Sequence, residues 1–281
     1  MLRNINKTGA GAQMKDTSLG GLDTDLVSRT LLDAAEIAAE HTLPRFRSEL
    51  AVDNKLAQGF DPVTEADREA ERAIRELLGE RFPDHAIIGE EWDDKEGAGR
   101  FAWIIDPIDG TRAFITGVPV WGTLVGLTVD GRAVAGLMAQ PFTGEIYMSL
   151  PGEASYYRGF DKVPMRTSKV TELGRAKMTT TSPDMFERDG LTGPWNQLRS
   201  RVLTTRYGLD CYGYALMAAG HIDLVVEAAL KDVDICPLIP LIENAGGIIT
   251  TWDGERAEQG GNCVAAATPD LHAAAMAALR L

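Results

Sequence analysis

The segment WIIDPIDGT (103–111) places two carboxylates, Asp106 and Asp109, three residues apart at the end of an apolar run. Pro107 disfavours the helical region for the residue before it and so biases Asp106 toward an extended conformation. Gly110 completes a turn, and Thr111 opens TRAFITG, a stretch with helical potential. A strand end that delivers two carboxylates into a turn and a helix start can hold hard cations through oxygen ligands. The N–H groups of Gly110 and Thr111 would then receive phosphate oxygens. The same residues also make an ordinary turn, because Asp, Pro and Gly all favour turns. Two other acidic positions have the same double reading. Glu90 and Glu91 follow the apolar IIG, as ligands or as a solvated acidic loop. Asp234 precedes a helical stretch, as a ligand or as its N-cap.

The elements that must position these residues follow from periodicity. Apolar residues recur at three and four through LVSRTLLDAAEIAAEHTLPRF, which predicts a helix beginning near Leu22. After Thr64, T-E-A-D resembles a capping box and predicts a second helix to about Leu78. AIIG, FAWIID, VWGTLVGLTV, AVAGLMAQP, EIYMSL and ASYYRG read as strands, with the DG at 130–131 as a hairpin turn. Beyond about residue 155, strands and helices alternate: KMTTT, LTGPWNQLRS, RVLTT, CYGYALMAAG, IDLVVEAAL, PLIPLIENA, GGIITTW and PDLHAAAMAALR. Pro240 is predicted to distort the helix after Asp234 or to delay its start. The resulting division is a polar tail over 1–20, an N-terminal α+β half over 21–155 with most acidic candidates, and a C-terminal α/β half over 156–281 with Asp234.

With 281 residues, 44% of them hydrophobic, the chain is long enough for one large core or two joined halves. No stretch approaches the roughly 18 apolar residues of a membrane span, and the N-terminus has no apolar signal segment. Three widely spaced cysteines argue against a disulfide framework and for a reducing, cytoplasmic location. A net charge of −13 excludes the basic stripes of nucleic-acid binders.

Taken together and in order, FDPVTEAD (60–67), GEE (89–91), WIIDPIDGT and DICPLIPLIENAGG (234–247) resemble the signature blocks of the inositol-monophosphatase-like family, over about residues 25–281. The resemblance implies a layered α-β-α-β-α sandwich of the inositol-monophosphatase / fructose-1,6-bisphosphatase type, within the α+β and α/β classes. It implies two to three Mg²⁺ ions per active site, one held by Glu90, Asp106 and the Ile108 carbonyl, another by Asp106, Asp109 and Asp234, and a weaker third near Glu90. It pairs Thr111 with Asp61 for proton transfer from the attacking water, and implies direct in-line hydrolysis of a phosphate monoester with no phosphoenzyme. Gly110 and Thr111 would hold the phosphoryl group, and a homodimer is implied. The chemistry of the residues agrees, since four converging carboxylates raise one another's pKa unless cations neutralise them. Oxygen ligands without His or Cys favour Mg²⁺ over zinc.

For the substrate, TRYGLDCYGYALMAAGHIDLVVEAALKDVD (205–234) resembles the histidinol-phosphate phosphatase branch, which acts in histidine biosynthesis. Asp210 and Glu227 would contact the cationic alcohol, Arg206 the phosphate or Asp210, and Asp109, Gly110, Thr111 and Asp234 would complete the substrate site. Charged hydrogen bonds of roughly 1.5–3 kcal/mol each suit a substrate bearing an ammonium and an imidazole. Two other expectations stay open: an inositol-1-phosphate phosphatase of broad specificity, and a catalytically silent binding or regulatory module. Cys236–Pro237 and Leu209 depart from the family pattern, which leaves the helix after Asp234 and the pocket size as questions.

Overall fold

Asp23 accepts a hydrogen bond from the Leu26 N–H at 2.7 Å and so starts the first helix, α1 (Thr24–Thr42). The structure is a computed structural model that describes residues 19–49, 52–54, 62–159 and 161–280, so most of the expected polar tail, and Asp61, lie outside it. Short strands β1 (Val52–Asn54) and β2 (Pro62–Thr64) pair antiparallel and lead into α2 (Glu65–Arg81). The predicted capping box is present: Asp67 Oδ2 accepts from the Thr64 N–H at 2.8 Å, and the Thr64 hydroxyl accepts from Ala66. Such a cap contributes about 1 kcal/mol.

A seven-stranded sheet follows, formed by β3 (Ala86–Gly89), β4 (Phe101–Asp109), then helix α3 (Thr111–Ile115), and strands β5 (Gly122–Val129), β6 (Arg132–Gln140), β7 (Glu145–Leu150), β8 (Glu153–Arg158) and β9 (Asp161–Pro164). The strands lie in chain order, with β3 parallel to β4 and each later pair antiparallel. The second half supplies β10 (Lys177–Thr180), α4 (Thr192–Arg199), β11 (Thr204–Tyr207), α5 (Asp210–Ala218), β12 (Leu224–Leu230), α6 (Asp232–Ile235), α7 (Ile239–Asn244), β13 (Ile248–Thr251), β14 (Gly261–Ala266) and α8 (Pro269–Leu279). Its sheet has the order β11-β10-β12-β14-β13, with β10 parallel to both neighbours. The strand predicted from Arg201 starts at Thr204, because the Arg201 N–H still closes the turn after α4 on the Leu198 carbonyl.

These elements stack in five layers, the α-β-α-β-α arrangement. Alternation along the strands explains why. On β5, Val125, Leu127 and Val129 face α1 and α2, whereas Leu124 faces the middle layer of α5 and α7. On β12, Val225 joins that middle core, whereas Leu224 and Val226 face α8 and the α4 side. Strands buried on both faces read as continuous apolar runs rather than alternating ones, which is the pattern of GTLVGLTV.

Pro240 delays the helix, as its missing N–H requires. The chain runs through α6, a 3-10 turn at Cys236–Leu238, and only then α7, with Pro240 in its first turn. The departure at Cys236–Pro237 has a partner across the layer. A Cβ on Gly136 would lie 1.9 Å from the Pro237 carbonyl oxygen, and one on Gly126 would lie 2.9 Å from Pro237 Cα. The two bare strand positions let this turn rest on the sheet and bring Asp234 toward the end of β4.

Candidate active site

Asp106 and Asp109 are three residues apart, so a regular strand would send them to opposite faces. The register shows how this is avoided: Asp106 pairs with Leu124 and Asp109 with Gly122, three steps on β4 against two on β5. The extra residue is a bulge at Pro107–Ile108, where a strand tolerates a proline. The Pro107 carbonyl is satisfied by the buried Thr123 hydroxyl at 2.8 Å. The Ile108 N–H turns back to Asp106 Oδ1 at 3.0 Å. Both carboxylates therefore face the second half of the molecule, where the Cys211 N–H donates to Asp109 Oδ2 at 2.7 Å.

Asp234 arrives from the other side. It is the third residue of α6, not its N-cap, and accepts the Lys231 N–H at 2.7 Å. Asp106, Asp109 and Asp234 each offer a carboxylate oxygen, and the three atoms lie within 4.8 Å of one another. Glu90 lines the same cavity of about 240 Å³, together with Ile108, Gly110, Thr111 and Asp210. Its carboxylate accepts from Lys231 Nζ at 2.9 Å. Gly110 takes the left-handed conformation (φ 84°) ahead of α3, a turn that a side chain would strain. The Thr111 hydroxyl donates to the Ile108 carbonyl at 3.2 Å.

Burial and mutual repulsion charge this site. Asp106 is 1% exposed, and burial, then Glu90, Asp109 and Asp234, hold its carboxyl well above the usual range. Asp109 is raised by burial and by Asp234 and Asp210, against the Cys211 N–H, which lowers it. Asp234 is raised to about 6, chiefly by burial. An assembly of oxygen donors that repel one another in a low-dielectric cleft is the donor set of a hard divalent cation, which would remove that repulsion. The residues fit a metal.

The remaining predicted residues separate. Asp210 stands at the start of α5 in the left-handed region (φ 48°), and a Cβ on Gly110 would lie 3.1 Å from its Cβ and Cγ. It therefore abuts the turn that carries Asp109. Burial raises it to about 6, while Arg112 and the Thr181 hydroxyl lower it. Glu227 does not line the cavity. It is buried behind Thr181, whose N–H and hydroxyl donate to Glu227 Oε1 at 2.8 and 3.1 Å. Arg206 is exposed on the edge strand β11, away from the cavity lining, and its carbonyl accepts from the Thr179 hydroxyl. Asp61 lies outside the described residues.

Three residues enter that periodicity and motif spacing do not single out. Asp67 is buried near enough to Glu90 and Asp106 for its charge to act on both, and burial raises it to about 6. Its signal was within FDPVTEAD, where the capping role of T-E-A-D hides it. Thr181 and Lys231 line the cavity, and only the crossing of β10, β12 and α6 places them there.

Residues 23–281 match the inositol monophosphatase family, and the chain belongs to it. The chain is thus a phosphatase of that family. The bifunctional phosphatase IMPL2 of Arabidopsis thaliana chloroplasts is 36% identical over 280 residues, 95% of this chain and 78% of its own. Histidinol-phosphatases of Chlorobaculum parvum and Mycobacterium tuberculosis are 35% and 33% identical, covering 80% and 83% of this chain and 85% and 90% of theirs. Among solved structures, an inositol monophosphatase from Zymomonas mobilis is 36% identical with a TM-score of 0.81, over 92% of this chain and 98% of its own. No helix among the described residues is long and apolar enough to cross a membrane.

Proposed function

We propose that this protein is a Mg²⁺-dependent phosphomonoesterase that hydrolyses L-histidinol phosphate to L-histidinol and phosphate. Glu90, Asp106, Asp109, Asp234 and the Ile108 carbonyl would hold the ions. When bound, Mg²⁺ supplies Lewis-acid stabilisation of the phosphoryl group and lowers the pKa of a bound water.

The chain's own groups do the rest. The main-chain N–H groups of Gly110 and Thr111, at the start of α3, orient the phosphoryl oxygens. The Thr111 hydroxyl, whose proton now points to the Ile108 carbonyl, is placed to accept a proton from the attacking water. Asp67 is buried and its charge acts on Glu90 and Asp106. With Asp61 outside the described residues, we assign Asp67 to the proton path, where it takes up the proton that Thr111 releases. Asp109 and Asp234 face the leaving alcohol across the same cleft.

One observation carries the choice of alcohol: Asp210 abuts the Gly110 turn and lines the cavity, so its carboxylate stands within reach of a bound alcohol. A cationic alcohol would gain a charged hydrogen bond there, whereas neutral inositol would gain less. The histidinol-phosphatases at 33–35% identity support the same choice. The Zymomonas mobilis structure keeps inositol 1-phosphate as the second reading. Comparing kcat/KM for L-histidinol phosphate and inositol 1-phosphate with Mg²⁺ tests both, and a preference for inositol rejects the first. Failure to release phosphate from either would return the silent-module reading.

A further inference from the structure

Behind the loop that carries Glu90, one face of α2 reaches the main chain repeatedly. Glu71 is fully buried. Its carboxylate accepts the Glu91 N–H at 2.8 Å and the Arg75 Nε–H at 2.7 Å. Arg75 then donates from Nη2 to the Trp92 carbonyl at 3.1 Å, and Trp92 Nε1 donates to the Arg68 carbonyl at 3.2 Å. Residues 68, 71 and 75 follow at intervals of three and four, so they share a helix face. The adjoining face, with Ala70, Ile74 and Leu78, is committed to the core against α1.

Gly89 completes the fit. A Cβ there would lie 2.0 Å from Glu71 Oε1 and 2.7 Å from Arg75 Nη2. The end of β3 must therefore be bare for the carboxylate to reach the Glu91 N–H. A buried carboxylate is tolerated only when paired and hydrogen-bonded, and both of those bonds run to groups that fix this loop. Glu71 is not among the residues that line the cavity.

We propose that Glu71, braced by Arg75, is a positioning residue that fixes the main chain next to Glu90 and thereby sets the affinity with which Glu90 takes up metal. The proposal rests on the reading of Glu90 as a metal ligand. Partners behind a metal ligand commonly change affinity about 10- to 100-fold when removed. The test is calorimetric titration of the full chain with Mg²⁺, alongside its melting temperature. Glu71→Ala should weaken Mg²⁺ binding at least about tenfold. Glu71→Gln, whose amide oxygen can accept only one of the two donors, should fall between Glu71→Ala and the wild type.

Gly89→Ala offers a second route that leaves Glu71 in place, because the new methyl group displaces its carboxylate. It should reproduce the weakening, and the Gly89→Ala/Glu71→Ala double variant should bind no more weakly than the weaker single variant. Losses that multiply would overturn the proposal, as would wild-type affinity in Glu71→Ala and Gly89→Ala with only the melting temperature lowered. Glu90→Gln separates the two readings. If it binds Mg²⁺ like the wild type, the ligand reading falls and the clamp with it. If it loses affinity while both clamp variants keep theirs, the clamp alone falls.

Discussion

Two acidic walls meet at the cavity, the second reaching back to Glu227 behind Thr181, and they handle their charge in different ways. At the end of β4, Asp106 and Asp109 are aimed by the main chain itself, through a bulge and a proline, and Asp234 meets them within 4.8 Å. Lys231 offsets part of the charge on Asp234, and its ammonium is bonded to Glu90. A bound cation would relieve the repulsion among the three aspartates. At the α5–β12 wall, Asp210 and Glu227 are linked through a neutral hydroxyl residue, Thr181, with Arg112 nearby. There the charge is moderated by protonation and hydrogen bonds, with Glu227 pushed up to about 8 by burial. A wall that needs a cation suits catalysis by metal, and a wall that tunes its own protonation suits selection among substrates.

That contrast can be broken most sharply at Asp106. Asp106→Asn should lower kcat by about 10³-fold or more, since a metal's contribution to transition-state stabilisation is several kcal/mol. Its circular dichroism should match the wild type. Near-wild-type phosphate release at saturating Mg²⁺ would remove the first wall from the chemistry. Metal removal comes next. Mg²⁺ at about 100 times its Kd should stabilise the fold by about 2.7 kcal/mol, read as a higher melting temperature than in chelator. An unchanged melting curve would mean that the carboxylates do not bind the ion.

The second wall should respond selectively. Asp210→Asn should lower kcat/KM for L-histidinol phosphate by about 10- to 100-fold, the equivalent of one charged hydrogen bond. Its effect on inositol 1-phosphate should be smaller, and an equal loss on both substrates would make Asp210 a structural residue. The smallest effect concerns Glu227 and pH. Because its folded pKa of about 8 exceeds the unfolded value near 4.5, its contribution to stability is complete below about 4.5 and is lost as pH rises through about 8. Glu227→Gln should abolish that loss, on the order of 1 kcal/mol between pH 7 and 8. Parallel melting-temperature profiles for the two proteins would show that Glu227 is not the titrating group.

Much of this was legible in the residues before the fold. The D-P-x-D-G run announces both its ligands and its turn, and the four ordered blocks announce the architecture. What stayed hidden depends on parity and on crossing. Spacing along WIIDPIDGT cannot reveal that a bulge returns Asp109 to the face of Asp106. The spacing of seven from Glu227 to Asp234 suggests neighbours, yet β12 carries its own register shift after Glu227, with Ala229 at φ 58°. Glu227 is left behind Thr181. Arg206 illustrates the opposite limit: its charge suggested phosphate, whereas an edge strand left it in solvent. Asp67 was masked by its own capping bond, because one carboxylate can cap a helix and face a metal site at once.

The bulge at Pro107–Ile108 has a consequence for how this site tolerates change in length. Side chains at those two positions could vary and still leave two carboxylates on one face, since the count of residues, not their chemistry, sets the parity. Removing a single residue there would leave the two aspartates two positions apart, the spacing that a regular strand keeps on one face without a bulge. A one-residue deletion at this point would therefore keep the pair on one face and take away only the bulge, with the turn of the Ile108 N–H back to Asp106.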